Sequence, residues 1–272
     1  KIGDECLDAN IDVLLGPSLN IHRNPLCGRN FEYYSEDPLV SGKMAAAFVK
    51  GVQSKGIAAT MKHFAINNKE NNRRACDSRV TERAARGIYL RGFKIAIDEA
   101  DPWAIMSAYN PINGIKASMN EELLTGILRE EWGYQGLVMS DWDTGASHTQ
   151  EALAGGDVKM PTGSPSELVK AVNDPENPLT REILEQRVEN VLNFVMKTRV
   201  FYNRLHYTPD EISDGTRLKV AEIFWDKSDY VKAEACADEG GGLSLGYCEP
   251  GEWLTYKVNV KQSGKYDLRA RI

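Results

Sequence analysis

The chain has 272 residues, of which 42% are hydrophobic and 26% charged, a composition typical of a globular protein. Its formal charge of −6 is mild and is not concentrated in a tail, which argues against a nucleic-acid surface or a membrane-binding helix. A neutral, sugar-like substrate fits this charge better than a polyanion does.

Short β-branched runs alternate with helical patterns over the first 200 residues. The predicted strands are 11–15, 57–61, 104–108, 137–139 and 158–160. The predicted helices are 40–53, 81–100, 120–132 and 149–154, followed by a longer amphipathic helix over 180–199. This alternation predicts an α/β domain with a parallel sheet, either a barrel or a doubly wound sheet.

Two features favour the barrel. Polar residues cluster directly after successive strands, and in an α/β barrel all strand ends open on the face that carries the active site. No GxGxxG or Walker sequence follows any strand, so a nucleotide-binding sheet is not indicated. A full barrel needs eight strands and five are visible. We therefore expect a partial (β/α) TIM-type barrel over 1–201, in a chain that begins inside its domain.

The pattern changes after the last predicted helix. Residues 202–216 are polar and suit a linker, and 217–272 contain short β patterns separated by glycine-rich turns. The alternation in 254–260 predicts a half-buried strand, and the segment is expected to form the first part of a β-sandwich. The five cysteines lack the usual zinc-ligand spacing, and Cys236 and Cys248 form either a local disulfide or two buried thiols.

Asp141 follows the apolar strand 137–139, where its carboxylate is held rigidly at the mouth of a pocket. Trp142 beside it offers a flat apolar face for a sugar ring. Hydrolysing a glycosidic bond with retention requires two carboxyl groups about 5 Å apart, and Asp141 suits the attacking one. The alternative is an aspartate that caps the next helix through Thr144 or Gly145.

Further polar groups follow the earlier strands. Lys62 and His63 place two donors where sugar hydroxyls could be held, although such a pair is often a surface lysine and a hydrogen-bonded core histidine. Arg29 follows a glycine and has Glu32 near enough to orient it, an arrangement that alone would be an ordinary salt bridge.

Met106 and Tyr109, around the end of the strand 104–108, add a soft apolar contact and a hydroxyl, or else pack in the core. Four polar clusters at four strand ends favour a shared sugar site over packing alone.

The ordered motifs resemble glycoside hydrolase family 3 over about residues 1–200. They are Gly-Pro-Ser-Leu-Asn-Ile at 16–21, Gly-Arg-Asn-Phe-Glu at 28–32, Lys-His-Phe at 62–64, Ser-Ala-Tyr-Asn at 107–110 and Gly-Leu-Val-Met-Ser-Asp-Trp at 136–142. The resemblance implies that Asp141 is the nucleophile. It also implies a subsite for the nonreducing-end sugar, lined by Arg29, Lys62, His63, Met106, Tyr109 and Trp142.

The Ser-Asp-Trp and Arg-Asn-Phe-Glu variants resemble the β-glucosidase branch of the family, acting on the nonreducing end of β-glucosides or oligosaccharides without a catalytic cofactor. A bifunctional β-xylosidase or arabinosidase, or a non-catalytic sugar-binding protein on the same fold, are the alternatives. Family members commonly take the acid/base from a separate α/β domain that this chain lacks, so the isolated chain is expected to be inactive.

The tail resembles the first half of a family 6 carbohydrate-binding module, through the Gly-rich segment 240–242 and the stretch 245–256. The resemblance implies that Tyr247 stacks on a sugar, unless it packs internally. It also places Glu222 where such modules hold a structural calcium, although Val220 stands where an acidic residue is usual. The expected partner is a β-linked oligosaccharide or polysaccharide, in a secreted or periplasmic setting, with no signal peptide visible.

Overall fold

The computed structural model describes residues 1–199 and 201, and six short strands within 210–260. Two compact units divide the chain, Lys1–Leu205 and His206–Ile272. In the described residues no helix is both long and apolar enough to cross a membrane.

The first unit alternates helices with short strands. Its strands are β1 (Val13–Leu14), β2 (Ala58–Phe64), β3 (Ala104–Ser107), β4 (Pro111–Ile112), β5 (Ile115–Lys116) and β6 (Leu137–Met139). Its α-helices are α1 (Ile2–Asp8), α2 (Pro38–Gln53), α3 (Glu82–Ala84), α4 (Arg91–Ala100), α5 (His148–Ala154), α6 (Pro165–Val172) and α7 (Arg181–Lys197). Single turns of tighter helix lie at Asn30–Glu32 and Ala117–Met119, and π-helical segments at Ala85–Tyr89 and Glu122–Glu131.

Four parallel strands form the central sheet, in the order β1-β2-β3-β6. Val13 pairs with Ala58, Ile105 with Met61, and Val138 with Ile105. Because parallel strands joined through helices all run the same way, their carboxyl ends meet at one edge. This edge carries the ends of β2, β3 and β6, and with them the residues of the candidate site.

Both faces of the sheet are buried, which explains why its strands are apolar almost throughout. Side chains of one face, including Met61, Ile105 and Val138, join the large cluster formed with α2, α4 and the segment Glu122–Glu131. Side chains of the other face pack against Phe194 of α7 in a second cluster, with Ala58, Ala104, Met106, Leu137 and Met139. Alternate residues of each strand therefore serve opposite faces.

The helices begin where the sequence supplies a cap. The Asp37 carboxylate accepts hydrogen bonds from the first turn of α2, and Pro38 occupies the first helical position, where it needs no partner for an N–H. Ser147 and Gln150 form a reciprocal capping box at the start of α5. Helices α2 and α4 approach so closely that a Cβ on Gly42 would lie 2.9 Å from the Gly92 carbonyl oxygen.

The predicted elements agree with the structure in type and differ in detail. The strand 137–139 is confirmed residue for residue, whereas 158–160 makes only a single bridge, between Val158 and Met139. The ladder is interrupted there because the Met160 N–H bonds the Ser140 hydroxyl at 2.9 Å instead of a neighbouring carbonyl. The predicted helix 81–100 is divided by the π-helical segment Ala85–Tyr89. Helix α6 was not predicted.

The second unit contains β7 (Asp210–Ile212), β8 (Asp226–Lys227), β9 (Lys232–Ala235), β10 (Leu243–Gly246), β11 (Leu254–Thr255) and β12 (Val258–Val260). These strands join in three separate pairs, β9 with β10, β8 with β11 and β7 with β12. The predicted β-sandwich and the linker 202–216 stay predictions, and β7 lies within the range of that linker. Tyr247, Glu222 and the pair Cys236 and Cys248 lie outside the described residues.

Candidate active site

Asp141 lies two residues beyond β6, and its side chain is only 8% exposed. One carboxylate oxygen, Oδ1, accepts a hydrogen bond from the Trp142 N–H at 2.8 Å. The other, Oδ2, is buried without a hydrogen-bond partner among the described residues and lies 3.6 Å from His63 Nε2. The cap of α5 is Ser147, so the alternative in which Asp141 caps the following helix is wrong.

The pKa of the Asp141 carboxyl is raised, chiefly because burial disfavours its charged form. The Trp142 N–H, the Tyr109 hydroxyl and the charges of Arg29 and Arg73 oppose this shift. Because Oδ2 has no hydrogen-bond partner among the described residues, this carboxylate has one oxygen available for an electrophilic carbon.

His63 is buried and its pKa is well below the ordinary histidine value, because burial and the charges of Arg29, Lys62 and Arg73 disfavour imidazolium. The neutral ring has one donor and one acceptor nitrogen. Arg29 Nη1 lies 2.8 Å from His63 Nε2, and arginine only donates, so Nε2 accepts. The ring proton is therefore on Nδ1, which lies 3.4 Å from Asn20 Oδ1. This tautomer explains why His63 leaves Asp141 Oδ2 without a donor.

Asn20 fixes the backbone at the end of β2. Its amide nitrogen donates to the His63 carbonyl at 2.9 Å, and its oxygen accepts from the His63 N–H at 2.8 Å. Two hydrogen bonds from one buried side chain hold the peptide in a single orientation. The histidine ring is thereby held facing Arg29 and Asp141.

Glu32 anchors the two basic residues that flank this histidine. It pairs directly with Arg29, as the sequence predicted, and lies 3.8 Å from the Lys62 ammonium. The Ser18 hydroxyl donates at 2.5 Å to Oε2 of Glu32, the carboxylate oxygen nearer Lys62. Burial, opposed by Glu32, lowers the pKa of Lys62. Within the described residues the Lys62 ammonium makes no hydrogen bond, so its N–H groups remain available for hydroxyl oxygens.

Tyr109 is buried below two arginines that extend from the loop after β2. The guanidinium carbon of Arg73 lies 4.4 Å from the centre of the Tyr109 ring, and that of Arg74 lies 5.1 Å from it. Arg73 is paired with Glu70 at 2.8 Å, and Arg74 Nη2 reaches the Trp142 carbonyl at 3.5 Å. Cation–π contacts of this kind fix the ring against the site.

A buried ion-pair network anchors β6. The Asp157 carboxylate, which is fully buried, accepts hydrogen bonds from the Val138 N–H at 2.8 Å, from Arg129 Nη2 at 2.6 Å and from Asn190 Nδ2 at 2.8 Å. These contacts join strand β6 to the segment Glu122–Glu131 and to helix α7. The strand that presents Asp141 is therefore fixed from both sides.

A second network holds the loop after Asp141. Glu151 is buried and accepts from the Thr144 hydroxyl at 2.5 Å and from the Lys159 ammonium at 2.9 Å. Lys159 also donates to the Ala146 carbonyl at 2.8 Å, and Lys116 donates to the Thr144 carbonyl at 2.7 Å. The backbone that follows Trp142 is thus tied at several points.

Comparison of the sequence with models of known protein families identifies the family of this domain. The model of the glycosyl hydrolase family 3 N-terminal domain matches residues 1–196. The chain belongs to glycosyl hydrolase family 3. The predicted TIM-type α/β domain is thereby confirmed for this part of the chain.

This family 3 chain is similar in sequence to several glycosidases. β-Glucosidase A of Butyrivibrio fibrisolvens is 52% identical over 185 residues, which are 68% of this chain and 22% of that protein. Exo-α-(1→6)-L-arabinopyranosidase of Bifidobacterium breve is 44% identical over 201 residues, 73% of this chain and 26% of that protein. The chain spans about a quarter of the length of these relatives.

Solved structures of the family share the fold. β-Glucosidase 3B of Thermotoga neapolitana in complex with glucose superposes with a TM-score of 0.71 at 49% identity. The match covers 74% of this chain and 29% of that one.

The structure brings most of the predicted family 3 site residues to one sheet edge. Arg29, Lys62, His63 and Tyr109 each have a contact or a charge effect that links them to Asp141 or to one another. Trp142 is half-buried beside Asp141 and packs against the second hydrophobic cluster, the one that contains Phe194. Met106 is buried in the same cluster, and its predicted contact with substrate stays a prediction.

Sequence reasoning missed four members of this site: Ser18, Asn20, Arg73 and Arg74. Ser18 and Asn20 lie within the quoted family motif, and their position after β1 was an available signal. The two arginines lie in a loop without periodicity, where only the folded chain shows that they reach Tyr109. In the described part of the chain, no group of three His, Cys, Asp or Glu side chains is arranged to hold a metal ion.

Proposed function

We propose that this chain carries the nucleophile and the sugar-binding subsite of a retaining, exo-acting β-glucosidase. The observation that carries the proposal is the buried Asp141 oxygen Oδ2, which has no partner among the described residues at the end of β6. An unpaired buried carboxylate oxygen costs folding free energy and is typical of a functional site. Relatives named β-glucosidase support the choice of sugar.

In the proposed reaction Asp141 attacks the anomeric carbon of the nonreducing-end sugar and forms a covalent glycosyl-enzyme. A carboxylic acid from outside this chain protonates the leaving oxygen and then activates the water that releases the sugar. Lys62 and Arg29 hold hydroxyl groups, and Tyr109 orients the carboxylate. The site needs no cofactor for these steps.

A second candidate is an exo-arabinopyranosidase. Relatives of that name from Bifidobacterium are 44% identical to this chain, nearly as similar as the second β-glucosidase at 45%. The same nucleophile serves both reactions, so the two candidates differ in how the subsite treats the substituents of the sugar ring. A β-xylosidase activity is a related alternative that the same assay tests.

The test uses the full-length polypeptide that carries this chain, with 4-nitrophenyl β-glucoside, β-xyloside and α-L-arabinopyranoside. We expect the highest kcat/KM for the glucoside. A 2-deoxy-2-fluoroglucoside should trap the covalent intermediate on the peptide that contains Asp141. Labelling of another carboxylate would contradict the nucleophile assignment, and a preference for the arabinopyranoside would favour the second candidate.

We also propose that residues 217–272 belong to a family 6 carbohydrate-binding module, in which Tyr247 stacks on sugar and Glu222 contributes to a structural calcium site. The module would keep a secreted or periplasmic enzyme near polysaccharide and raise its effective concentration there. Retention of the full-length protein and a Tyr247→Ala variant on insoluble β-glucan, with and without a calcium chelator, tests both roles. Equal retention in all cases would contradict them.

A further inference from the structure

The basic side chains around the site outnumber the carboxylates that pair with them. Arg29 and Lys62 share Glu32, and Arg73 pairs with Glu70. Within the described residues, Arg74 forms no ion pair, and its polar contacts are the Trp142 carbonyl, 3.5 Å from Nη2, and the Tyr109 hydroxyl. A guanidinium has five N–H donors, so most of those of Arg74 are open to a ligand.

The depth of Arg74 indicates which part of a substrate it would meet. Asp141, His63 and Lys62 are largely buried, whereas Arg74 is exposed beside Trp142. In a pocket that binds a nonreducing-end sugar, that sugar fills the buried end and the leaving group extends towards solvent. Arg74 therefore lies on the leaving-group side, at the exposed rim of the site.

Arg74 is also held in place. Its guanidinium carbon lies 5.1 Å from the centre of the Tyr109 ring and its Nη2 lies 3.5 Å from the Trp142 carbonyl, so two neighbours of Asp141 position it at the rim. A guanidinium in this position still presents its edge, which matches the two oxygens of a carboxylate. We propose that Arg74 selects β-glycosides whose leaving group carries a carboxylate. This inference rests on the proposed function and specifies its substrate class.

The experiment compares two pairs of substrates on the full-length protein. The first pair is 4-carboxyphenyl β-glucoside and its uncharged analogue 4-carbamoylphenyl β-glucoside. The second is glucosyl-β-1,4-glucuronic acid and cellobiose. The pairs distinguish an aromatic acid from a uronic acid as the source of the carboxylate. The readout is the ratio of kcat/KM, charged over uncharged, within each pair.

Arg74→Gln should lower this ratio about three- to fivefold for at least one pair, which is the range of an exposed ion pair. Arg74→Lys should recover part of the loss, because it keeps the charge without the planar fork. Raising the salt concentration to 0.5 M should lower the wild-type ratio as well. Arg83→Gln is the matched control, since Arg83 is exposed and forms no ion pair among the described residues.

Ratios that stay the same in Arg74→Gln for both pairs, while the neutral glucosides are still cleaved, would overturn this inference and leave the proposed function intact. An equal fall in Arg83→Gln would also overturn it, because the effect would then come from general charge. Failure of the wild type to cleave any of the glucosides would overturn both proposals.

Discussion

Replacing Asp141 by asparagine should lower the catalytic activity and raise the stability of the fold. The change keeps the shape of the side chain and removes its charge and nucleophilicity. Since Asp141 is the proposed nucleophile, kcat/KM for 4-nitrophenyl β-glucoside should fall ~10⁴-fold or more. Substrate binding should persist, because Arg29, Lys62 and His63 are unchanged. Turnover within tenfold of the wild type would refute the nucleophile assignment.

The same substitution should stabilise the fold at pH 7. Burial raises the pKa of Asp141, which means that ionising this group costs folding free energy in the native state. Removing this ionisation cost should stabilise the fold by about 0.5–2 kcal/mol, the range of single stabilising substitutions. For a unit of this size, 1 kcal/mol corresponds to a rise in Tm of roughly 2–4 °C.

The sign of the pH dependence follows from the raised pKa. Below the unfolded-state pKa of about 3.9, Asp141 is protonated in both states, so its ionisation costs nothing. The cost develops as the pH rises from the unfolded-state pKa through the higher folded-state pKa, and it is fully present above the latter. The stabilisation by Asp141→Asn should therefore be largest at pH 7 and shrink towards pH 4.

Differential scanning fluorimetry of the full-length protein at both pH values measures this effect. Asp143→Asn is the matched control, because Asp143 is an exposed neighbour whose positive φ suits asparagine equally well. The control should change Tm little, because Asp143 is exposed. A lower Tm for Asp141→Asn at pH 7, or the same gain at both pH values, would refute the reasoning.

Three further results are expected. The acidic limb of the kcat/KM profile should lie above pH ~3.9, because burial raises the pKa of Asp141 and this proposed nucleophile acts in its ionised form. Asp157→Ala should lower the free energy of unfolding, measured in urea, by about 3–5 kcal/mol, because it leaves the largely buried Arg129 without its carboxylate partner. Glu185→Ala, which breaks an exposed ion pair with Arg181, should lower it by less than ~0.5 kcal/mol. Gly42→Ala should cost ~1–3 kcal/mol, because its Cβ would clash with α4, whereas Gly51→Ala, which has open space, should stabilise by about 0.4–1 kcal/mol.

Much of the fold could be read from local patterns. The strand 137–139 is a short apolar run followed at once by polar residues, and this contrast predicted both the strand and the site residue after it. The helix 180–199 was found because seventeen helical residues give a clear repeat. Family motifs then identified which polar residues at the strand ends share one site. Those signals need no knowledge of contacts between distant residues.

Other features depended on contacts that periodicity does not encode. The tautomer of His63 follows from a hydrogen bond to Arg29, 34 residues away. The position of Arg74 follows from its contact with Tyr109, in a loop whose sequence has no repeat. The segment 158–160 is β-like in sequence, yet the Ser140 hydroxyl takes the Met160 N–H that a ladder would use.

The sequence by itself determined the alternation of the main strands and helices, the family and the residue after β6, because apolar spacing or contiguous motifs encode each of them. Only the tertiary structure decided the pKa and the hydrogen bonding of that residue, Asp141. The pKa of Asp141 is raised because the carboxyl is buried, and its oxygen Oδ2 lacks a hydrogen-bond donor because the neighbouring His63 ring is neutral and accepts from Arg29 through Nε2. Burial and proton placement arise when distant segments pack together, so no local pattern specifies them.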